Sequence, residues 1–290
     1  MKKNKVNIGI VGRGFVGSAV ENGFSNEIEK YNVKAYDVNP EKALDSLESV
    51  VNQSDIVFIS VPTPSFEDGE INLQILNNCL NEISKISTNN ETIFLIRSTV
   101  VPGTSRKFQE KYKNLNLVFN PEFLTEKNAN NDFLNQERFV LGGELNNVQK
   151  VSDIYKLKFG QSINIIETDF ESAELIKYVA NTFLASKVSF MNEMKILSNK
   201  INANWDDVLT GVTLDSRIGS SHVDVPGHDG KLGFGGSCFP KDIQALIHFS
   251  KSLGIELHVL QAAWKTNLEV RPEKDWELLD GRAITKRKKT

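Results

Sequence analysis

Three glycines, a cysteine, a lysine and an aspartate are gathered in Gly233-Phe234-Gly235-Gly236-Ser237-Cys238-Phe239-Pro240-Lys241-Asp242. The glycines let the backbone bend and approach a ligand closely. Pro240 suits the first residue of a helix, where its missing N–H costs nothing. Ile243, Leu246 and Ile247 follow at helical spacing and Gly254 ends the run. Cys238 is thus expected just ahead of a helix N-terminus. There the helix dipole and Lys241 both favour the nucleophilic thiolate. Asp242 lies about one turn on and is suited to handling a proton or a water. A lone cysteine is more often a small buried hydrophobe. The glycines, the helix start and the adjacent charges turn the reading toward chemistry.

A second constellation stands at the other end of the chain. The apolar run Val6 to Val11 leads into Gly12-Arg13-Gly14-Phe15-Val16-Gly17 and a helix to about Phe24. This is the dinucleotide fingerprint in its context of strand, turn and helix. Gly12 makes the turn, Gly14 admits the pyrophosphate, and Gly17 lets the helix pack on the sheet. Val33 to Asp37 reads as the next strand and ends in an acid at the expected distance. Asp37 is suited to the adenosine ribose and would repel a 2′-phosphate. No arginine stands beside it, so the cofactor expected is NAD, not NADP.

The elements that position these residues alternate. Helices are expected from Glu41 to about Val51, from Asn72 to Lys85 and after Pro102. Strands are expected over Asp55 to Val61, Thr92 to Ile96, Leu117 to Phe119, Phe139 to Leu141 and Ile163 to Ile166. Strand and helix in turn imply a parallel, doubly wound α/β sheet, with ligands beyond the carboxyl ends of its strands. The polar residues at those ends include Thr63, Ser98, Thr99 and Asn120-Pro121-Glu122. A helical turn from Glu122 to Glu126 would place both carboxylates on one face. Thr168-Asp169-Phe170-Glu171 reads as a capping box opening a helix of roughly 30 residues, ~45 Å long. That helix carries Lys177 and, four residues on, Asn181. Lys177 is flanked by Leu175, Ile176, Val179 and Ala180, which suggests an amine turned into a cleft. A helix over about Trp205 to Val212 and the aperiodic stretch from Ser220 to Gly236 follow. Loops of that length are functional or disordered, and this one is taken as a substrate loop. Helices over about Pro240 to Leu253 and Leu257 to Val270 complete the pattern. The expected domains are an NAD-binding domain over 1–168, an all-α central domain over 169–272 and a tail over 273–290.

Composition limits the alternatives. The 290 residues carry a net charge of -3, which argues against a nucleic-acid partner. The basic cluster Lys286-Arg287-Lys288-Lys289 reads as a frayed tail. No apolar stretch is long enough to span a membrane and no signal peptide precedes the first strand. Two cysteines cannot build a disulfide framework, so both are expected as thiols in a reducing cytoplasm. Cys79 falls among Leu76, Leu80 and Ile83 at helical spacing and is assigned to the core. His222 and His228 show no metal-like spacing, and no metal is expected.

Taken together, Gly233 to Asp242, Asn120-Pro121-Glu122-Phe123-Leu124, the Lys177/Asn181 pair and Arg217-Ile218-Gly219 resemble the UDP-glucose/GDP-mannose dehydrogenase family. The resemblance covers nearly the whole chain. It implies oxidation of a sugar's primary alcohol twice, to a carboxylate, with two NAD. Cys238 would capture the intermediate aldehyde as a thiohemiacetal, which becomes a thioester and is hydrolysed. By the same resemblance Lys177 stabilises the oxyanion, and Asn181 holds that oxygen or a water. Asp242 and Glu126 are candidates to activate water, and Glu122 positions substrate or relays protons. Phe123 and Leu124 belong to the substrate motif. Thr63, Thr99, Glu126 and Lys241 line the cofactor, with Lys42 near its adenosine end beside Asp37. Arg217 reaches the sugar of a neighbouring subunit, across a homodimer built on the long helix. Gly227, Lys231 and Gly235 belong to the loop that meets the nucleotide sugar.

The family normally carries a second α/β domain after the central helices, and none is expected within these 290 residues. Nucleotide affinity is then expected from the 220–236 loop, or from a separate chain supplying that domain. UDP-glucose is the first choice of substrate, with GDP-mannose or a UDP-N-acetylhexosamine as alternatives. A non-catalytic NAD-binding partner of a full-length dehydrogenase is a further reading, against which the thiol beside a helix start counts. The related 3-hydroxyacid dehydrogenases share the glycine fingerprint and a Lys-x-x-x-Asn helix but lack the cysteine loop.

Overall fold

The computed structural model describes residues 5–287. The elements run β1 (Val6–Val11), α1 (Phe15–Ser25), β2 (Tyr31–Tyr36), α2 (Leu47–Gln53), β3 (Ile56–Ile59), α3 (Gln74–Ile86), β4 (Ile93–Ile96) and α4 (Thr104–Lys111). Then come β5 (Asn116–Phe119), α5 (Ala129–Leu134), β6 (Arg138–Gly143), α6 (Leu145–Phe159), β7 (Asn164–Thr168) and α7 (Phe170–Lys200). Last are α8 (Trp205–Thr213), α9 (Phe239–Ser252), α10 (His258–Val270) and a 3-10 turn over Asp275–Leu278. The chain divides into two compact units. One comprises residues 1–63 and 73–177, the other residues 64–72 and 178–290. The division falls within α7 and assigns a short early segment to the second unit.

The first unit is a seven-stranded sheet in the order β2-β1-β3-β4-β5-β6-β7. Strands β3 and β4 are buried along their whole length, as continuous apolar runs in a sheet covered on both faces should be. One core contains Ile8, Ile10, Phe58, Leu95, Phe139 and Tyr155. The other contains Val57, Ile59, Phe94, Ile96 and Leu117. The sheet is not wholly parallel: β6 pairs antiparallel with β5. Residues 120–137, with the short α5, lie between them. The chain returns through α6, and β7 pairs parallel with β6.

Local sequence explains several other departures. The helix expected from Glu41 begins only at Leu47, because Ser46 caps it by accepting from the Ser49 N–H at 3.2 Å. Thr168 remains in β7, and Asp169 caps α7 by accepting from the Ser172 N–H at 2.7 Å. Glu171 does not reach back; it pairs with Arg106.

The second unit is helical. Its cores form around Ala185, Phe234, Ile243 and Ala263, and around Met191, Trp205, Val223 and Val225. The stretch from Ser220 to Gly236 carries no helix or strand. The C-terminal segment is not a frayed tail over its described part. Trp276 is buried against Trp264, and Ser65 exchanges backbone hydrogen bonds with Ala283 and Thr285. Arg287 pairs with Asp68 and Glu70 and lies over the Phe66 ring. Lys288 and Lys289 lie outside the described residues.

Within the first unit, Glu174 is fully buried and caps α4 from outside. Its carboxyl accepts from the N–H groups of Gly103 at 2.6 Å and Ser105 at 2.7 Å. Burial outweighs those bonds and pushes its pKa up to about 7 from 4.5. The folded chain therefore binds this proton more tightly than the unfolded chain. The associated stabilisation is complete below pH 4.5 and is lost as the pH rises through about 7. Denaturation midpoints of the unmutated protein, compared with Glu174→Gln, should fall across that window. Parallel curves for the two proteins would contradict the assignment.

Candidate functional site

The glycine turn between β1 and α1 is built by close approach. A Cβ on Gly17 would lie 1.9 Å from the Gly12 carbonyl oxygen, and one on Gly12 would lie 2.5 Å from the Ser60 carbonyl oxygen. Gly12 also has φ 91°. A Cβ on Gly14, by contrast, would meet nothing within 4 Å, so the turn is open at that point. Gly14 is the N-cap of α1 and offers no side-chain oxygen to the first N–H groups. An open, donor-lined helix start fits a pyrophosphate. Phe15 and Val16 pack against the first core, so their side chains face the protein.

Asp37 follows β2 directly. It accepts from the Arg13 N–H at 2.6 Å and the Asn39 N–H at 2.8 Å. An arginine therefore does stand near Asp37, contrary to the sequence reading, because the turn folds back on the strand end. Its guanidinium is engaged elsewhere, by Glu21 at 2.7 Å and by the carbonyl of Lys42. Lys42 itself is exposed. Beyond β3 and β4, Thr63 Oγ1 donates to the Thr99 carbonyl at 2.8 Å, and Ser98 Oγ donates to the Val61 carbonyl at 2.6 Å. The two strand ends are tied together on the side where a doubly wound sheet binds ligands.

The segment after β5 is anchored by Asn120. Its Oδ1 accepts from Arg97 Nη1 and from Tyr155 Oη, both at 2.5 Å, and its Nδ2 donates to the Val140 carbonyl at 2.9 Å. Arg97 is buried between the Phe58 and Phe133 rings. Two residues on, Glu122 is buried. Its carboxylate accepts from Lys177 Nζ at 3.0 Å and from the Leu124 N–H at 2.8 Å. Lys177 Nζ also donates to the Glu122 carbonyl and faces the Phe123 ring at 5.3 Å. No helical turn joins Glu122 to Glu126; residues 121–125 carry no regular structure, and Glu126 lies exposed on a turn. Leu124 is part of the core.

In the second unit, Cys238 is the N-cap of α9 and Phe239 its first residue, which puts Pro240 at the second position. Cys238 is half-buried, with Ser237 Oγ 3.7 Å from its Sγ. Asp242 is 1% exposed and both of its oxygens are used. Oδ1 accepts from Lys241 Nζ at 2.5 Å and Oδ2 accepts from Asn181 Nδ2 at 2.6 Å. Lys241, expected to line the cofactor and to favour a thiolate, is thus paired with its neighbour. The thiol of Cys79 packs against the second core, and burial pushes its pKa up to about 12.

Arg217 is exposed and forked onto Asp215 at 2.6 and 2.9 Å. The turn behind it is held by Lys187, whose ammonium donates to the carbonyls of Ile218, Gly219 and Ser221. Gly227 and Lys231 close a tight turn through the Gly227 N–H, and Lys231 Nζ lies 3.3 Å from Glu273. Gly235 is pressed against Arg271. Asn192, Asn267 and Arg271, which hold this loop, escaped the sequence reading. Their one signal was Asn267 and Arg271, one turn apart on an otherwise apolar helix face. Among the described residues no group of three or more His, Cys, Asp or Glu side chains is placed to hold a metal, and no helix is long and apolar enough to cross a membrane.

This fold and these motifs place the chain in the UDP-glucose/GDP-mannose dehydrogenase family, to which it belongs. The family's NAD binding domain matches residues 41–158 and its central domain residues 171–269. UDP-glucose 6-dehydrogenase of Rickettsia felis is 35% identical over 269 residues, covering 89% of this chain and 58% of that protein. The chain thus spans little more than half the length of this curated relative. A UDP-glucose dehydrogenase structure from Pyrobaculum islandicum aligns at TM-score 0.79 and 29% identity, over 92% of this chain and 68% of that one. The 3-hydroxyisobutyrate dehydrogenase of Mycobacterium tuberculosis aligns at TM-score 0.76 and 16% identity, over 93% of this chain and 95% of that one, a likeness of fold alone.

The cofactor of the matched domain is NAD, and the open Gly14 turn with Asp37 beside it fits that molecule. Asp37→Ala removes the carboxylate expected to meet the ribose and leaves the Arg13 and Asn39 N–H groups without their acceptor. Titrations with NADH and NADPH should then show weaker NADH binding and a narrowed preference between the two. An unchanged preference would mean that Asp37 does not meet the ribose.

Proposed function

We propose that the chain is an NAD-dependent dehydrogenase that oxidises the C6 alcohol of a nucleotide sugar, UDP-glucose first among them, to the carboxylate. The observation that carries this reading is Cys238 at the N-cap of α9, beside the buried Lys241–Asp242–Asn181 cluster. A thiol at a helix start behind a glycine-rich loop suits a nucleophile better than a packing group.

Bound NAD accepts the hydride in each of the two oxidations. The protein's part is to hold the sugar and manage protons and the acyl group. Cys238 Sγ adds to the C6 aldehyde of the first oxidation, giving a thiohemiacetal whose further oxidation leaves a thioester. Water then attacks the thioester carbon, the C–S bond breaks, and the thiol returns as the carboxylate forms. Lys177 donates hydrogen bonds to the oxyanion at each addition. Its bond to Glu122 gives the proton a neighbouring acceptor. Asn181 orients the water or the oxyanion, and Asp242 takes the water's proton, with Glu126 as the other candidate base. Thr63, Thr99 and Lys241 line the cofactor, and Lys42 lies toward its adenosine end. Phe123, Leu124, Gly227, Lys231 and Gly235 frame the substrate.

The reading includes a homodimer through α7, with Arg217 serving the neighbouring subunit. It is supported by the exposed Phe183, Phe190, Ile196 and Leu197 on that helix, each more than half exposed. A single chain would leave that apolar surface in water. A separate chain carrying the C-terminal domain of the longer relatives belongs to the same proposal. Such a chain would strengthen nucleotide binding.

With a panel of UDP-glucose, GDP-mannose and UDP-N-acetylhexosamines, the unmutated protein should form two NADH per sugar and an acid. One NADH with free aldehyde accumulating would sink the two-step reading. Cys238→Ser should lose steady turnover, because serine cannot supply a thioester. Light scattering should give a dimer, and a fully active monomer would remove Arg217 from the site.

A further inference from the structure

The loop that delivers Cys238 is held by side chains that no catalytic role requires. Asn267 on α10 is fully buried and binds the loop backbone at one residue in both directions. Its Oδ1 accepts from the Phe234 N–H at 2.7 Å and its Nδ2 donates to the Phe234 carbonyl at 3.0 Å. Asn192 on α7 accepts from the Gly233 N–H at 3.1 Å. Phe234 itself is buried in the core with Ala185, Ile243 and Ala263.

Arg271, at the end of α10, completes the grip. It is 1% exposed. Its Nη2 donates to Asp229 at 2.7 Å and to Asp275 at 2.8 Å, its Nε to Asp275 at 2.8 Å, and its Nη1 to the Leu232 carbonyl at 3.3 Å. The guanidinium holds the Asp275 carboxyl below the usual carboxylate range. Asp275 lies four residues from Arg271, so that pair needs no loop. Asp229 and Leu232 belong to the loop, and their bonds fasten it. With all three of its nitrogen positions committed and almost no exposure, Arg271 cannot also meet a substrate phosphate without abandoning two carboxylates.

The glycines fit this grip. A Cβ on Gly235 would lie 2.4 Å from Arg271 Nη2 and 2.6 Å from Asp275 Oδ1. A Cβ on Gly233 would lie 2.4 Å from Asn267 Oδ1. The loop is glycine-rich here because Asn267 and Arg271 approach its backbone closely.

We propose that Arg271, acting with Asn267 through the 229–235 loop, is the positioning residue for Cys238. The fork on Asp229 and Leu232 and the amide pair on Phe234 fix the chain a few residues before the thiol. They therefore set where Sγ stands at the N-cap of α9. The role assigned to that thiol rests on the dehydrogenase reading; the fixing of its position does not.

The test uses the full chain with Arg271→Met and Asp229→Ala, and follows iodoacetamide alkylation of Cys238 by peptide mass spectrometry. Cys79, in the other unit, is the internal reference. Release of the loop should speed alkylation of Cys238 severalfold and lower kcat by as much as about 100-fold, the scale on which a misplacement of about 1 Å acts. The Cys79 rate and the KM for NAD should hold, and Arg271→Lys should recover part of the loss. If Arg271→Met does not fold, Asp229→Ala decides, because its side chain is partly exposed. An unchanged Cys238 rate in a folded Asp229→Ala protein overturns the proposal, as does a parallel rise at Cys79. If Cys238 responds as expected while no nucleotide sugar is oxidised by the unmutated chain, the clamp stands and the dehydrogenase reading fails.

Discussion

The second unit depends on one buried carboxylate. Asp242 is shut from solvent on the first turn of α9 and spends one oxygen on Lys241 and the other on Asn181 of α7. A charge in that position is costly unless it is fully paired, and deleting either partner would leave it stranded. The pair therefore fixes the start of α9 against α7. The N-cap residue between that helix start and the incoming loop is Cys238. Packing alone would not choose such a group, because well-fitted apolar residues fill a core at less risk. On the proposed reading the cluster is chemistry that the fold tolerates.

The first unit repeats the device with different parts. Glu122 and Lys177 form a buried pair, and the ammonium is held twice, by the carboxylate and by the Glu122 backbone carbonyl. Behind it, Arg97 and Tyr155 converge on Asn120, so the end of β5 is set before the chain reaches Glu122. The sheet supplies the frame. Its strands end together, and the polar residues beyond β3, β4 and β5 stand where a doubly wound sheet leaves its crevice. The glycine turn after β1 works by the same economy of space, with Gly17 against Gly12 and Gly14 left open.

Much of this was legible in the sequence because it is local. The strand–turn–helix of Val6 to Phe24, the acid at Asp37, the long α7 and the helix start after Cys238 are all set by residues within a turn or two of one another. What was missed is non-local or depends on direction. Apolar periodicity marks β6 as a strand but carries nothing about the direction of its pairing, which is antiparallel to β5. The spacing of Glu122 and Glu126 suggests a helical face, yet the Glu122 carboxylate accepts from the Leu124 N–H and no helix forms there. Asn181, Glu122 and Asp229, which bind Asp242, Lys177 and Arg271, lie far off in sequence, and two glycines of the cysteine loop face Asn267 and Arg271 where the sequence suggests a ligand. The basic C-terminal cluster looked solvated, but Arg287 finds Asp68 and Glu70 at the opposite end of the chain.

The central claim is that Cys238 carries the acyl group. Its most direct test is acid quenching of the unmutated protein during turnover with NAD and UDP-glucose, followed by mass analysis of the peptides holding Cys238 and Cys79. The account predicts a sugar nucleotide bound through the Cys238 peptide, absent without NAD and lost as turnover completes. Oxidation of UDP-glucose to the acid with the Cys238 peptide unmodified at every quench time would contradict it.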